Sequence, residues 1–435
     1  LQIAPVVASL GQLISRYDIH TRHRQRIFRL AEKRALWHLM ARRPLQPDRD
    51  RMTALELIQR LVAFDTTSRD SNLALIEWVR DYLAGHGIDS HLVFDETGKK
   101  ANLWATIGPA DRPGLVLSGH TDVVPIDGQE WSVAPFEPSI KDGKLFGRGT
   151  TDMKSFVGVC LALAPHFKRA ALKTPIHFAF SYDEEVGCLG VRRLLDDLAA
   201  RGIRPMGCVV GEPTSMKVIR AHKGKISVRA RVRGFECHSS LAPRGVNAVQ
   251  YAARAIAHLA AMGEKLANEG PFDPAFDIPF TTVHVGTVAG GTALNIVPKD
   301  CTFDFEFRHL PVHDPRALFA AFETHVRAHL EPQMKAVHAD TGFSFAEISS
   351  FPGLAGDENS AVIQAAKAAS GSNSTGKVAF GTEAGLFEAR GIPTVICGPG
   401  DIDQAHKPDE FVALEQIAQC ETFLRRLVER LEATP

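Results

Sequence analysis

Gly114-Leu115-Val116-Leu117-Ser118-Gly119-His120-Thr121-Asp122-Val123-Val124-Pro125 opens on a short apolar run and then sets a histidine and an aspartate one residue apart. The run reads as a buried strand, and in extended backbone residues i and i+2 point to the same side. His120 and Asp122 therefore leave the strand end together, at the edge where open α/β sheets place their ligands. A metal-binding imidazole needs a carboxylate or carbonyl behind it to fix its tautomer, and this step supplies one. Taken alone, the pair is equally a strand-end histidine capped by a loop aspartate. The rest of the chain has to decide.

Outward from this strand the pattern alternates. Helix is expected over 72–87, 189–201 and from Asp152 to about His166, and strand over 90–94, 102–107, 175–182 and 207–210. Such alternation predicts an α/β class, a sheet flanked by helices. The pattern then changes: strand 225–233, helix 247–266, strands 281–288 and 300–310, and helix 315–330 read as an inserted ferredoxin-like α+β domain. The expected division is a first catalytic part over 52–224, the inserted domain over 225–340, and a second catalytic part over 341–435.

The bulk numbers are those of a soluble globular protein. The 435 residues are 45% hydrophobic and 23% charged, enough for two domains and a full core. Lys+Arg 50 balances Asp+Glu 50, which argues against a general nucleic-acid or anionic-membrane surface. No apolar run approaches the roughly 20 residues of a membrane span. The seven cysteines form no Cys-x-x-Cys pair, so a disulfide framework or thiolate zinc site is not expected and a reducing, cytoplasmic setting is. Residues 1–50 differ, with ten Lys/Arg against four Asp/Glu. Residues 1–51 are read as a basic extension without chemistry, with a transit peptide as the alternative. Thr53 and Glu56 then fit a capping box that opens an amphipathic helix.

Further acidic and histidine positions recur at strand ends and turns. Gly147-Arg148-Gly149-Thr150-Thr151-Asp152-Met153-Lys154 places Asp152 at a helix start, where an N-cap aspartate is the ordinary alternative. Asp183-Glu184-Glu185 clusters three carboxylates after an apolar strand; surface acidic clusters are commonplace, but one at a strand end is costly unless cations or protonation relieve the repulsion. Glu212 ends a short apolar run in Val209-Val210-Gly211-Glu212-Pro213-Thr214, and a Gly-rich loop after Cys397 delivers His406. Singly, these last two are an ordinary loop carboxylate and an ordinary surface histidine. Together the set is histidine and carboxylate without cysteine, a donor set for Zn²⁺ or a similar ion. Two such ions a few ångströms apart can share a carboxylate and activate one water.

Ser118–Pro125, Gly147–Lys154, Asp183-Glu184-Glu185-Val186-Gly187, Gly211-Glu212-Pro213-Thr214 and Ala405-His406-Lys407-Pro408-Asp409-Glu410 resemble the five signatures of the dinuclear zinc deacylase and carboxypeptidase family. The resemblance runs in order from about Met52 to the C-terminus. Within the family, Ala221-His222-Lys223-Gly224, His238-Ser239-Ser240 and Gly381-Thr382-Glu383-Ala384 are similar to the acetylornithine deacetylase branch. The resemblance implies that Asp152 bridges two metal ions, with His120 and Glu212 completing one site and Glu185 and His406 the other. It also implies Glu184 as general base and Asp122 as the carboxylate that holds His120. His238 would stabilise the oxyanion in the partner subunit of a homodimer built through the inserted domain. Arg308 and Asn295 would grip the substrate's α-carboxylate, and Gly381 and Thr382 would line the same pocket.

Glu383 is expected to meet a cationic side chain, or else to be a plain loop carboxylate. Thr151 and Ser155 depart from the family pattern, removing no ligand but bearing on pocket shape. The expected activity is removal of the acetyl group from N²-acetyl-L-ornithine, with two divalent ions, Zn²⁺ or Co²⁺. Another N-acyl-amino-acid deacylase or a dipeptidase is the nearest alternative. A catalytically silent metal- or amino-acid-binding dimer is a more distant one.

Overall fold

The structure is a computed structural model that describes residues 52–433 apart from 171. The expectation for residues 1–51 lies outside the described residues.

The described chain begins with the helix Ala54–Val62. Its capping box forms as the sequence predicts: the Glu56 amide donates to Thr53 Oγ1 at 3.3 Å and the Thr53 amide to Glu56 Oε2 at 2.8 Å. Among the described residues the main sheet has nine strands. Their spatial order is Ser90–Phe94, Ala101–Ile107, Ile176–Ser181, Leu115–His120, Gly207–Pro213, Thr394–Gly398, Ile219–His222 and Leu354–Ala355, with Gly376–Val378 also paired to Ile219–His222. The sheet is mixed. Ile176–Ser181, Leu115–His120, Gly207–Pro213 and Thr394–Gly398 run parallel, and Ala101–Ile107 is antiparallel to its neighbours. Parallel strands buried on both faces need continuous apolar sequence, which Leu115-Val116-Leu117, Phe178-Ala179-Phe180 and Cys208-Val209-Val210 provide.

Helix Ser155–Arg169 packs beneath these strands and against Ala54–Val62. Gly211 makes that packing possible, since a Cβ there would fall 1.9 Å from the Phe156 ring. A larger residue would push the strand end that carries Glu212 off the helix.

The second sheet is antiparallel, in the order Thr282–Gly290, Asp300–His309, Gly224–Arg233, Gly342–Phe351, with helices Ala248–Glu269 and Pro315–His325 packed on it. Strand and helix order are ferredoxin-like, as expected. Its core alternates along the strands through Ile226, Val228, Ala230 and Val232 and through Phe303, Phe305 and Phe307. The boundary expected at 340 falls too early. Gly342–Phe351 is the fourth strand of this sheet, because Phe343 and Phe345 pack into the same core.

A third sheet was not anticipated. Ser139–Lys141, Lys144–Phe146 and Phe411–Ala413 are each only three residues long, too short to show a period. It ties the segment before Asp152 to the segment after His406, and the Gly147 amide donates to the Glu410 carbonyl at 2.9 Å.

Candidate metal centre

The four parallel strands end on one edge of the sheet, and the candidate residues leave from there. His120 is the last residue of its strand, Asp183–Glu185 follow Ser181, and Glu212 is the penultimate residue of strand Gly207–Pro213. The loop after Gly398 reaches His406, and the turn before Ser155 presents Asp152.

Two groups of ligand atoms result, His120/Asp152/Glu212 and Asp152/Glu185/His406, each with its atoms within 4.8 Å of one another. Asp152 belongs to both. Its Oδ1 lies 2.8 Å from His120 Nε2 and its Oδ2 lies 3.3 Å from His406 Nε2. His406 Nε2 is also 3.1 Å from Glu185 Oε2, and His120 Nε2 is 3.9 Å from Glu212 Oε1.

The tautomer of His120 tests whether a cation fits. Its Nδ1 stands 2.9 Å from the Asp122 carbonyl, which can only accept, so Nδ1 carries the proton. Nε2 then turns a lone pair toward the Asp152 carboxylate. Two acceptors at 2.8 Å require a proton or a metal ion between them. Charge argues the same way. Asp152, Glu184, Glu185 and Glu212 all line one cavity of about 310 Å³ beside His406.

Four carboxylates there repel one another in a desolvated space. Burial, reinforced by Glu185 and Asp152, raises Glu184 to about 8, and burial with Asp152 raises Glu185 and Glu212. Burial opposes the charged form of His120, but Asp122, Asp152 and Glu212 outweigh it and raise the imidazole. Asp152 and Glu185 raise His406 to about 11. A cluster that draws protons this strongly is suited to divalent cations.

Buried groups hold the ligands in place. The Asp122 carboxylate is 3.6 Å from His120 Nδ1, farther than its own carbonyl. It accepts instead from Ser68 Oγ at 2.7 Å and from the Glu184 and Glu185 amides at 3.1 and 3.3 Å. Asp122 thus orients His120 through its backbone and the acidic turn through its side chain. Glu410 performs a similar task for Asp152. Its carboxylate accepts from the amides of Gly149, Thr151 and Asp152 at 3.0, 2.8 and 3.1 Å and from Arg148 Nη1 at 2.7 Å. Arg148 Nη2 reaches Gln129 Oε1 at 2.6 Å, and Gln129 Nε2 donates to the His406 carbonyl at 2.8 Å. Gln129 and the Arg148–Glu410 pair escape a sequence reading because their partners are distant in the chain.

A family model described as peptidase family M20/M25/M40 matches residues 116–430. The chain belongs to that family. Among its M20/M25/M40 relatives, the acetylornithine deacetylase of Myxococcus xanthus is 35% identical over 380 residues, covering 85% of this chain and 94% of that protein. The acetylornithine deacetylase of Pasteurella multocida is 32% identical over 381 residues, covering 86% and 97%. Of solved structures, an M20 family metallo-carboxypeptidase from Sulfolobus solfataricus superposes with a TM-score of 0.68 at 17% identity, over 86% of this chain and 98% of that one. A dinuclear metal-binding peptidase of the same family from Bacillus subtilis gives 0.59 at 15% identity, over 88% and 99%. These likenesses carry the fold.

The remaining candidates of this M20/M25/M40 chain divide. Arg308 and Gly381 line the cavity, joined by Lys225, Phe351, Phe380 and Ile402, none of which the sequence singled out. His238 and Asn295 do not line it. They are exposed neighbours on the second sheet's layer, where the Ser239 amide donates to the Asn295 carbonyl at 2.9 Å. Thr382 and Glu383 are corrections. Both are fully buried, and Thr382 Oγ1 accepts from the Ala384 amide at 3.0 Å. The Glu383 carboxylate accepts from Ser118 Oγ at 2.6 Å and Ser181 Oγ at 2.8 Å, so it braces two strands and does not border the cavity. Thr151 and Ser155 also face inward, donating to the carbonyls of Phe411 and Thr150, and neither borders the cavity.

Proposed function

We propose that this chain hydrolyses N²-acetyl-L-ornithine to L-ornithine and acetate. The sharing of Asp152 between two histidine-carboxylate groups, with Glu184 beside them, carries the reading. His120, Asp152 and Glu212 would hold one ion, and Asp152, Glu185 and His406 the other. Zn²⁺ suits these nitrogen and oxygen donors, and Co²⁺ is accepted by the same set. When bound, such ions polarise the acyl oxygen and acidify water.

The chain's own groups supply the rest. Glu184 takes a proton from the attacking water and delivers it to the amine nitrogen as the C–N bond breaks and the new C–O bond forms. Cys188 Sγ donates to Glu184 Oε1 at 3.3 Å and steadies that carboxyl. Arg308 presents a guanidinium to the substrate's carboxylate.

We infer a homodimer through the second sheet. Its edge strand Thr282–Gly290 leaves Val288 60% exposed, and the following loop leaves Leu294 fully exposed. Such an edge invites pairing with another copy. His238 lies outside its own chain's cavity, which is consistent with service in a partner's. Among the described residues no helix is long and apolar enough to cross a membrane, and all seven cysteines are free thiols. A reducing cytoplasmic setting fits those thiols.

The burial of Glu383 favours a second reading, a deacylase of N-acyl amino acids not selected by a cationic side chain. Measuring ornithine release from N²-acetyl-L-ornithine alongside a panel of N-acetyl and N-succinyl amino acids and dipeptides, compared by kcat/KM, separates the two. Release of ornithine supports the first reading and its absence rejects it, while comparable kcat/KM across the panel marks a pocket that does not select by side-chain charge.

A further inference from the structure

The lining of the cavity includes two cations, Lys225 and Arg308. Lys225 and Arg308 are directly opposed cross-strand partners. Their side chains leave the second sheet on one face, with Cβ atoms roughly 5 Å apart. Both line the cavity that contains Glu184 and Asp152. Arg308 donates through Nε to Glu306 Oε1 at 2.8 Å, and Glu306 also accepts from Ser227 Oγ at 3.2 Å. Among the described residues Lys225 forms no ion pair within 4 Å, and its ammonium lies over the Phe351 ring, 5.7 Å from the centroid.

Burial and the facing Arg308 together press the Lys225 ammonium below its ordinary pKa. Arg308 is thus paired with Glu306 while the neighbouring ammonium is not, an arrangement that an incoming anion relieves. Beyond the four carboxylates of the metal-facing groups, no acidic side chain borders the cavity among the described residues. The acid expected to meet an ammonium, Glu383, is sealed behind the strands.

We propose that Lys225 joins Arg308 on the substrate's carboxylate, so that its ammonium adds to the selection of an anionic group and the cavity does not read a cationic side chain. Arg308 offers a planar fork and Lys225 a point charge, and the carboxylate has an oxygen for each. Lys225 is then a specificity-determining residue. The inference rests on the reading of this chain as an N-acyl-amino-acid hydrolase.

Steady-state kinetics of the metal-loaded enzyme test it, with N²-acetyl-L-ornithine, its carboxamide, and N-acetyl-L-norvaline, which lacks the side-chain amine. In Lys225→Met, kcat/KM on the carboxylate substrate should fall about 10–30-fold, chiefly through KM, and by less than about 3-fold on the carboxamide. Lys225→Arg should recover most of the loss, and it serves alone if the methionine variant does not fold. The wild type should take the norvaline derivative within about 5-fold of the ornithine one. Equal losses on carboxylate and carboxamide, a loss confined to kcat, or a preference above about 30-fold for the cationic side chain would overturn the proposal. If N²-acetyl-L-ornithine is not a substrate but another N-acetyl amino acid is, the ornithine assignment fails separately. The carboxylate–carboxamide comparison then runs on that compound.

Discussion

Glu410 Oε1 accepts the backbone amide of Asp152 at 3.1 Å, which places the one shared carboxylate under the control of a residue 258 positions away. The same Glu410 forms an ion pair with Arg148 at 2.7 Å, both side chains only 1% exposed. Removing one partner of a buried pair leaves an uncompensated charge and costs about 3–5 kcal/mol. Glu410→Gln should lower the unfolding free energy of the metal-free protein by that amount in urea titration. It should also weaken metal binding by about 10–100-fold, the usual effect of losing a group that orients a ligand. Unchanged stability and affinity would remove Glu410 from this role.

The two groups around Asp152 predict different metal contents for their variants. Asp152→Asn should empty both positions, whereas Glu212→Gln should weaken one and leave the other filled. Metal analysis after gel filtration reads the difference. Equal metal loss in the two variants would contradict the sharing of Asp152.

Glu184 is expected to move protons and not to hold metal. Glu184→Gln should keep the wild-type metal content while kcat falls by about 10²–10⁴-fold. Turnover near the wild-type level would exclude it as the base.

Acid stability provides a test far from the centre. His177 is buried, with Nδ1 3.0 Å from Thr106 Oγ1 and its ring stacked on Trp104. Burial lowers its pKa from 6.5 to about 4. Below pH 6.5 the unfolded chain takes up a proton that the folded chain refuses until about pH 4. Stability from this group is therefore full above 6.5 and falls by roughly 3 kcal/mol across that window. His177→Leu should flatten the decline in urea midpoint between pH 7 and pH 5, and an unaltered slope would refute it.

The main sheet is legible because its central strands are continuous apolar runs, and two of the candidate ligands close such runs. His120 closes Leu115-Val116-Leu117, and Glu212 closes Cys208-Val209-Val210. Glu383 was misread because a carboxylate in Gly-Thr-Glu-Ala looks like a loop group, while its partner Ser118 lies 265 residues earlier. The second sheet's last strand was cut off at 340 because its alternating Phe343 and Phe345 pack against elements that come before them in the chain. Lys225 was passed over as one polar position on an alternating strand. Only the pairing with Arg308 shows which face it shares.

Amide hydrolysis by this chain is expected to need two ions held through Asp152. The most direct measurement strips the protein with a chelator and titrates Zn²⁺ back while following hydrolysis of N²-acetyl-L-ornithine and bound metal together. Activity should vanish in the stripped protein and return to a plateau at two equivalents per chain. Full activity in the stripped protein, or a plateau at one equivalent, would rule out a two-ion mechanism.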